Sequence, residues 1–176
     1  MPSLVSHGVV GLAAGVAISA HHPQSSLVFL CVIASVFPDI DGISFALGIP
    51  YGSLFGHRGF LHSIFFAFIL SAFIVHFGFS NIRIFSYSWF FWQAIFFSIS
   101  LSHVILDGMT EGGMGVAYFS PFSKKRYLLP WKPIIACPLR IEDFFSEWGK
   151  ITAKTEFLWV WIPSFILIFI SLWLKG

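Results

Sequence analysis

Apolar stretches close to the length of a bilayer-spanning helix dominate this 176-residue chain. A helix needs about 20 mostly apolar residues to cross the hydrocarbon core of a bilayer. Five stretches are candidates, at residues 4–20, 23–37, 60–79, 87–106 and 157–174. Because 57% of the residues are hydrophobic and only 10% are charged, the chain is predicted to be an all-α integral membrane protein with about five transmembrane helices.

The predicted helices form one multi-pass domain over residues 1–176, since no room is left for a separate soluble domain. The stretch 23–37 is short, and it either spans with help or ends inside the protein, with Pro38 expected to end it. Residues 107–156 form a long interfacial loop between the fourth and fifth helices.

The basic residues predict how the chain is oriented. Cytoplasmic loops of membrane proteins carry an excess of Lys and Arg. With five spans, one side holds only Arg83 and Lys175, whereas the other holds eight of the ten basic residues: Arg58, Lys124, Lys125, Arg126, Lys132, Arg140, Lys150 and Lys154. That richer side is predicted to face the cytoplasm. The formal charge of +2 is too small and too scattered to indicate nucleic-acid binding.

Histidines and aspartates interrupt the apolar chain in four short clusters. The clusters are His7, then Asp39 with Asp41, then His57, Arg58 and His62, and finally His103 with Asp107. Such groups are costly beside hydrocarbon and indicate a functional site. The predicted topology carries all four clusters to the cytoplasmic ends of helices, so we expect them to form one site.

The spacing within the clusters suits metal binding, although each pair has a structural alternative. His103 and Asp107 are four residues apart and share a helix face. They suit two ligands of one metal ion, a ligand with its supporting carboxylate, or a buried hydrogen-bonded pair. Asp39 and Asp41 bind a divalent cation if both face inward, or else lie in a solvated turn.

The third cluster combines two histidines with an arginine. Because His57 and His62 are five residues apart, they do not share a helix face, and we expect His57 in the loop and His62 in the first turn of the third helix. Arg58 suits a phosphate or a carboxylate, or pairs with Asp39 or Asp41.

Imidazole and carboxylate ligands together suit zinc, manganese or iron. We therefore predict one or two divalent ions, with zinc favoured, held by ligands from the set His7, Asp39, Asp41, His57, His62, His103 and Asp107. Cys31 and Cys137 give no thiolate pair. His21, His22 and His76 fall elsewhere in the topology. The basic run 124–126 either attracts anionic lipid headgroups or acts as a topology signal.

These motifs in this order resemble those of the YdjM-like family of membrane-bound metal-dependent hydrolases of bacteria and archaea. The resemblance runs from His7 to about Arg126, through Pro-Asp-Ile-Asp, His-Arg-Gly-Phe-Leu-His-Ser and His-Val-Ile-Leu-Asp. It implies a multi-pass inner-membrane protein whose metal and active site contains the eight polar residues of the four clusters. Leu61 stands where the family motif commonly has Thr.

Three functions are compatible with these features. The first is a metal-dependent hydrolase of a lipid or lipid-linked ester, most plausibly a phosphoester, with Arg58 binding the anionic group and Asp41 or Asp107 as general base. The second is a divalent-metal or proton transporter that uses the same residues, and the third is a non-catalytic scaffold. Ligands at one membrane face favour the hydrolase, because transporter sites tend to lie near the midplane.

Overall fold

The structure is a computed structural model, and it describes residues 1–138 and 141–176; Arg140, one of the basic residues counted above, lies outside the described residues. The described chain is mostly helical, which confirms the predicted all-α membrane class. Its helices are α1 (Leu4–Ser19), α2 (Leu27–Val36), α3 (Ile43–Ala46), α4 (Ile64–Gly78), α5 (Tyr87–Gly108), α6 (Glu147–Glu156) and α7 (Ile162–Lys175).

Three continuous helical stretches are long and apolar enough to cross a membrane: Leu27–Ala46, Tyr87–Gly108 and Glu147–Lys175. In the first, the 3-10 turn Phe37–Gly42 joins α2 to α3, and in the third, the π-helical turn Phe157–Trp161 joins α6 to α7. Helices α1 and α4 are also apolar but shorter, at 16 and 15 residues. The stretch Leu27–Ala46 has 20 residues and is longer than the predicted 23–37.

Pro38 ends the α-helix as predicted, since α2 stops at Val36, but the helical path continues through the 3-10 turn into α3. It lies in the first turn of the 3-10 segment, where its missing N–H leaves no hydrogen bond unmade. Two other helix starts also differ. α4 begins at Ile64 rather than 60 because the Ser63 hydroxyl accepts from the N–H of Phe66. The last helical stretch begins at Glu147 rather than 157 because Ser146 caps it.

Small residues let α1 approach its neighbour closely. A Cβ atom on Gly11 would lie 2.7 Å from the Cα of Val32, and one on Gly15 would lie 2.7 Å from the Cα of Val28. Helix α1 therefore packs tightly on α2, and it also contacts α5 and α7. This close packing places the first turn of α1 beside the ends of α2 and α5.

The hydrophobic core occupies the half of the bundle away from the polar clusters. It lies between α2, α4 and α5, where Leu27, Cys31, Ile74 and Phe96 are buried together. Large apolar side chains on the outer faces, such as Phe169 on α7, stay exposed and suit contact with lipid.

Glu156, at the end of α6, ties the last helical stretch to the first. Its carboxylate accepts hydrogen bonds from the N–H of Ser3, at 2.6 Å, and from the hydroxyls of Ser3 and Ser6. The indole of Trp161 also donates to Ser6, at 2.9 Å. Since Ser3 is the N-cap of α1, these contacts fix where α1 begins.

The loop between α5 and α6 is held to the bundle by short pairings. Strands β1 (Thr110–Glu111) and β2 (Ile134–Ile135) are parallel neighbours, and Val116 pairs with Tyr127 in an antiparallel bridge. The N–H of Ala117 donates to the carbonyl of Arg58. The loop thereby packs against the segment that carries the third polar cluster.

Candidate metal centre

Four side chains from three of the polar clusters converge at the ends of the helices. Asp39 comes from the 3-10 turn after α2, His62 from a 3-10 turn before α4, and His103 and Asp107 from α5. One ligand atom of each lies within 4.8 Å of the other three. All four side chains are at most 3% exposed. This group is called the inner group below.

The distances in the inner group fit ligands around one ion better than hydrogen bonds. Nε2 of His62 lies 3.4 Å from Oδ1 of Asp39 and 3.2 Å from Oδ2 of Asp107. Nε2 of His103 lies 3.5 Å from Oδ1 of Asp39. Hydrogen bonds of this kind are about 2.7–3.2 Å long, whereas ligands about 2.1 Å from a tetrahedral ion lie about 3.3 Å apart.

The two imidazoles turn their Nε2 atoms toward each other. Nδ1 of His103 donates to the carbonyl of Ser35 at 2.7 Å, so it carries the ring proton. Nδ1 of His62 lies 2.8 Å from Oδ2 of Asp41, although the angle is poor for a hydrogen bond. Because a lone pair on Nδ1 would repel the carboxylate at that distance, Nδ1 carries the ring proton. Backing of ring nitrogens by a carbonyl and a carboxylate is typical of metal-binding histidines.

The two Nε2 atoms lie only 3.0 Å apart, which requires a cation between their lone pairs. A proton there satisfies that single contact, but it leaves the longer contacts to Asp39 and Asp107 unmade. Both carboxylate oxygens of Asp39 and of Asp107 are buried without a hydrogen-bond partner. The residues present therefore fit a divalent ion, and without a thiolate they suit zinc, manganese or iron.

Asp41 and His57, predicted as ligands, lie behind the inner group. Oδ1 of Asp41 lies 2.6 Å from Nδ1 of His57, and Oδ2 accepts from the N–H of Arg58 besides contacting His62. Nε2 of His57 lies 2.9 Å from Sδ of Met1. Because both oxygens of Asp41 already contact other groups, Asp41 positions His57, Arg58 and His62 rather than offering a free ligand atom.

His7 reaches the site from the first turn of α1. It is fully buried, and its ring stacks on that of His103 with the centroids 3.7 Å apart. Nε2 of His7 lies 3.5 Å from Oδ1 of Asp107, and neither ring nitrogen has a hydrogen-bond partner. His7, the first predicted cluster, thus lies next to the inner group, which the other three clusters supply.

Arg58 lies between the inner group and a cavity of about 420 Å³. Its Nε lies 3.1 Å from Oδ2 of Asp107 without an aligned hydrogen bond, and Nη1 donates to the carbonyl of Gly112 at 3.3 Å. Nη2 has no partner. The guanidinium, which is 1% exposed, lines the cavity together with His57, Tyr51, Trp148 and other residues.

The backbone of Arg58 is strained, and the surrounding loops hold it. Its φ is 58°, in the left-handed region that costs a non-glycine residue roughly 1–2 kcal/mol. Asp41 accepts from its N–H, while its carbonyl accepts from the N–H of Ala117 and from Nη1 of Arg126. Strain of this kind persists only where surrounding contacts overdetermine it.

Arg126 clamps the loops that carry the third cluster. Its guanidinium donates to five backbone carbonyls, at 2.7–3.3 Å; they belong to Tyr51, Ser53, His57, Arg58 and Gly115. It also lies over the ring of Tyr51. Burial lowers the pKa of Arg126, but a guanidinium stays charged. Arg126 is therefore neither a lipid-facing charge nor a plain topology signal.

The carboxylates around His62 control its protonation. Burial by itself lowers the pKa of His62, but the adjacent carboxylates of Asp107, Asp39 and Asp41 outweigh burial and hold the pKa well above its usual value. The carboxylates thus favour a positive charge at His62, in the centre of the inner group. A bound metal ion takes the place of that proton.

Sequence analysis missed three parts of the site. The carbonyl of Ser35 carries no side-chain signal. Gly113 approaches Arg58 closely, since a Cβ on it would lie 3.1 Å from Nη1, and the sequence does not indicate this approach. Arg126 looked like one more basic residue of an exposed run. The histidines excluded by topology, His21, His22 and His76, are exposed and lie outside the inner group.

These observations define a class: an all-helical integral membrane protein with a buried His/Asp cluster that could hold a metal ion. The family model of the YdjM inner membrane protein matches residues 1–176, and the chain belongs to that family. It is 34% identical to the inner membrane protein YbcI of Escherichia coli (strain K12), over 98% of each chain. No solved structure matches the chain.

Proposed function

We propose that this protein is a metal-dependent hydrolase of a membrane-associated phosphoester, with its site on the cytoplasmic side of the inner membrane. The observation that carries the proposal is the pair of Nε2 atoms of His62 and His103, 3.0 Å apart, each with its Nδ1 backed by an acceptor. With Asp107 they would supply three ligands for one ion and leave a position for water, and the carboxylate of Asp39 lies beside that position.

The cavity beside Arg58 supports an anionic, amphiphilic substrate. Its volume of about 420 Å³ is in the range of small-molecule sites, and it opens between aromatic side chains at Phe45, Tyr51 and Trp148. Arg58 lines this cavity, and its buried Nη2 has no hydrogen-bond partner. A phosphoryl group against Arg58 would leave the apolar part of the substrate against the aromatic walls.

The residues divide the chemistry among them. A bound divalent ion supplies a water of lowered pKa and polarises the phosphoryl oxygen. Arg58 would hold a phosphoryl oxygen through its guanidinium and orient the ester toward the inner group. Asp39, whose oxygens have no hydrogen-bond partner, accepts the proton that the attacking water loses. The water oxygen bonds to phosphorus, the ester P–O bond breaks, and the leaving oxygen takes its electron pair and then a proton.

Asp39 replaces Asp41 as the expected base because the oxygens of Asp41 are engaged by His57, His62 and Arg58. Asp107 stays a ligand that also contacts Arg58.

The cytoplasmic orientation rests on exposed lysines. Setting aside the buried Arg58, the clamped Arg126 and the undescribed Arg140, the side that carries the site keeps five exposed lysines: Lys124, Lys125, Lys132, Lys150 and Lys154. The opposite side has Arg83 and Lys175. The excess still favours the cytoplasm for the site. Ligands at helix ends, rather than midway along the helices, favour hydrolysis over transport.

Metal analysis and a hydrolysis assay on the same detergent-purified preparations test the proposal. Zinc, manganese and iron are measured in the wild type and in His103→Ala, and phosphate release is followed from phosphatidic acid vesicles and from soluble p-nitrophenyl phosphate. We expect bound metal in the wild type, its loss in His103→Ala, and release from the vesicles.

Arg58→Gln separates substrate binding from metal binding. It should keep the metal and lose about 100-fold or more in phosphate release, as for the loss of a charge-stabilising group in an active site. Arg83→Gln, an exposed arginine at the opposite end, is the matched control and should behave as wild type. Wild-type protein that binds no metal after loading, or metal-loaded protein that releases no phosphate from any phosphoester tested, overturns the proposal.

A further inference from the structure

We propose a second divalent-cation site beside the first, formed by His7 and by Oδ1 of Asp107. It rests on the proposed function, because Asp107 would also bind the first ion through Oδ2. The two oxygens of this carboxylate would then bridge two ions, which lie about 3.5–4 Å apart in hydrolytic two-metal sites.

The first argument is that His7 has no partner. Both of its ring nitrogens are buried without a hydrogen bond. By contrast, Nδ1 of His103 donates to the carbonyl of Ser35, and Nδ1 of His62 lies 2.8 Å from Oδ2 of Asp41. A buried polar group without a partner is destabilising. His7 thus has a lone pair available for a ligand in a place that water reaches poorly, since the residue is fully buried.

The second argument is geometric. Nε2 of His7 lies 3.5 Å from Oδ1 of Asp107, too far for a hydrogen bond but close to the separation of two ligands on one ion. The rings of His7 and His103 are stacked 3.7 Å apart at an angle of 23°. Two near-parallel imidazoles at that spacing present ligands to two neighbouring ions rather than to a single one.

The neighbouring contacts leave the ring of His7 and Oδ1 of Asp107 unsatisfied. Arg58 neutralises the opposite oxygen of Asp107, Oδ2, and does not contact His7. Ser35 donates to the backbone carbonyl of His7 rather than to its ring. Neither contact satisfies the ring nitrogens of His7 or Oδ1 of Asp107.

With two protein ligands, the second ion keeps open positions for water or for a phosphoryl oxygen. Its affinity should therefore be lower than that of the first ion and should rise when an anion shares the site. The ligand class is a divalent cation bound together with a phosphoryl group, which is the chemistry of the proposed phosphoester substrate.

Manganese binding to the full chain in detergent provides the test. Bound Mn²⁺ is counted in titrations with and without inorganic phosphate, and the EPR spectrum reports whether two ions are coupled. We expect two ions per wild-type chain and a coupled spectrum in the presence of phosphate. In His7→Phe, which keeps a ring stacked on His103, we expect one ion with the spectrum of an isolated Mn²⁺.

His22→Ala removes an exposed histidine and controls for adventitious imidazole binding; it should keep two ions. A single ion in the wild type at every manganese and phosphate concentration overturns the second site while leaving the first. Two coupled ions in His7→Phe, or loss of both ions in His7→Phe and in His7→Asn, overturn the assignment to His7. No bound ion in the wild type removes the proposed function as well.

Discussion

Replacement of Asp41 should weaken metal binding although Asp41 lies outside the inner group. Its carboxylate contacts three groups: Nδ1 of His57 at 2.6 Å, Nδ1 of His62 at 2.8 Å and the N–H of Arg58 at 3.1 Å. All three present N–H groups, so all three require an acceptor. The contact to His62 matters most, because it keeps the proton on Nδ1 and leaves Nε2 free for an ion.

The structure distinguishes two substitutions at this position. In Asp41→Asn, the amide oxygen must face Arg58 and His62, because an amide nitrogen there would oppose the N–H of Arg58. The NH₂ group then faces His57, which can change tautomer and donate through Nε2 instead. His62 keeps a neutral acceptor, and the affinity for metal should fall about tenfold, the lower end of the range for such supporting groups.

Asp41→Ala leaves both His62 and the backbone of Arg58 without an acceptor. The affinity should fall about 100-fold, or about 2.7 kcal/mol. Competition with a chromophoric zinc chelator in detergent measures both values. Ser44→Ala, a buried position in the adjoining helix α3, is the control and should bind as wild type. Affinities for Asp41→Ala within about threefold of wild type, or a larger loss for Asn than for Ala, would refute the reasoning.

Three further predictions follow from the loops and the topology. In Arg126→Lys, the lysine cannot reach five carbonyls. The loss of two charged hydrogen bonds, about 3 kcal/mol, should lower the melting temperature in detergent by about 6–12 °C, whereas Lys125→Ala should not change it. Gly113→Ala, at φ 75°, should displace the end of Arg58 and raise KM for the phosphoester with metal content unchanged; unchanged KM would contradict this. In a Cys137→Ser background, Lys124→Cys should react with a membrane-impermeant thiol reagent only after the inner membrane is opened. Labelling in intact spheroplasts would show that residue 124 faces the periplasm and would contradict the proposed orientation.

The convergence of the polar clusters was predictable because it depends only on which helix end each one occupies. Spans read from hydropathy place His7, Asp39, His62, His103 and Asp107 at one membrane face, and the structure brings them together. The helix starts at Ile64 and Glu147 were not predicted, since a serine cap inside an apolar or polar run gives a weak signal.

The division of labour between Asp39 and Asp41 could not be predicted from the sequence. Two carboxylates separated by one residue look equivalent along the chain. In a 3-10 turn each residue advances by about 120°, so the two side chains diverge; Asp39 turns toward His103 and Asp41 toward His57. Arg126 was missed for a different reason, because its five carbonyl partners lie on segments far apart in sequence.

The contact of Glu156 with Ser3 and Ser6 has a consequence for biosynthesis. The helix that carries His7 is the first to leave the ribosome, whereas the side chain that fixes its start belongs to the last helical stretch, as does Ser171, which donates to the carbonyl of Ala17. A nascent chain arrested before residue 147 can insert α1 through α5, but the first turn of α1 then lacks the contacts of Glu156 with Ser3 and Ser6. The first turn of α1, and His7 with it, therefore gains its full set of contacts only after the last helical stretch has packed against it.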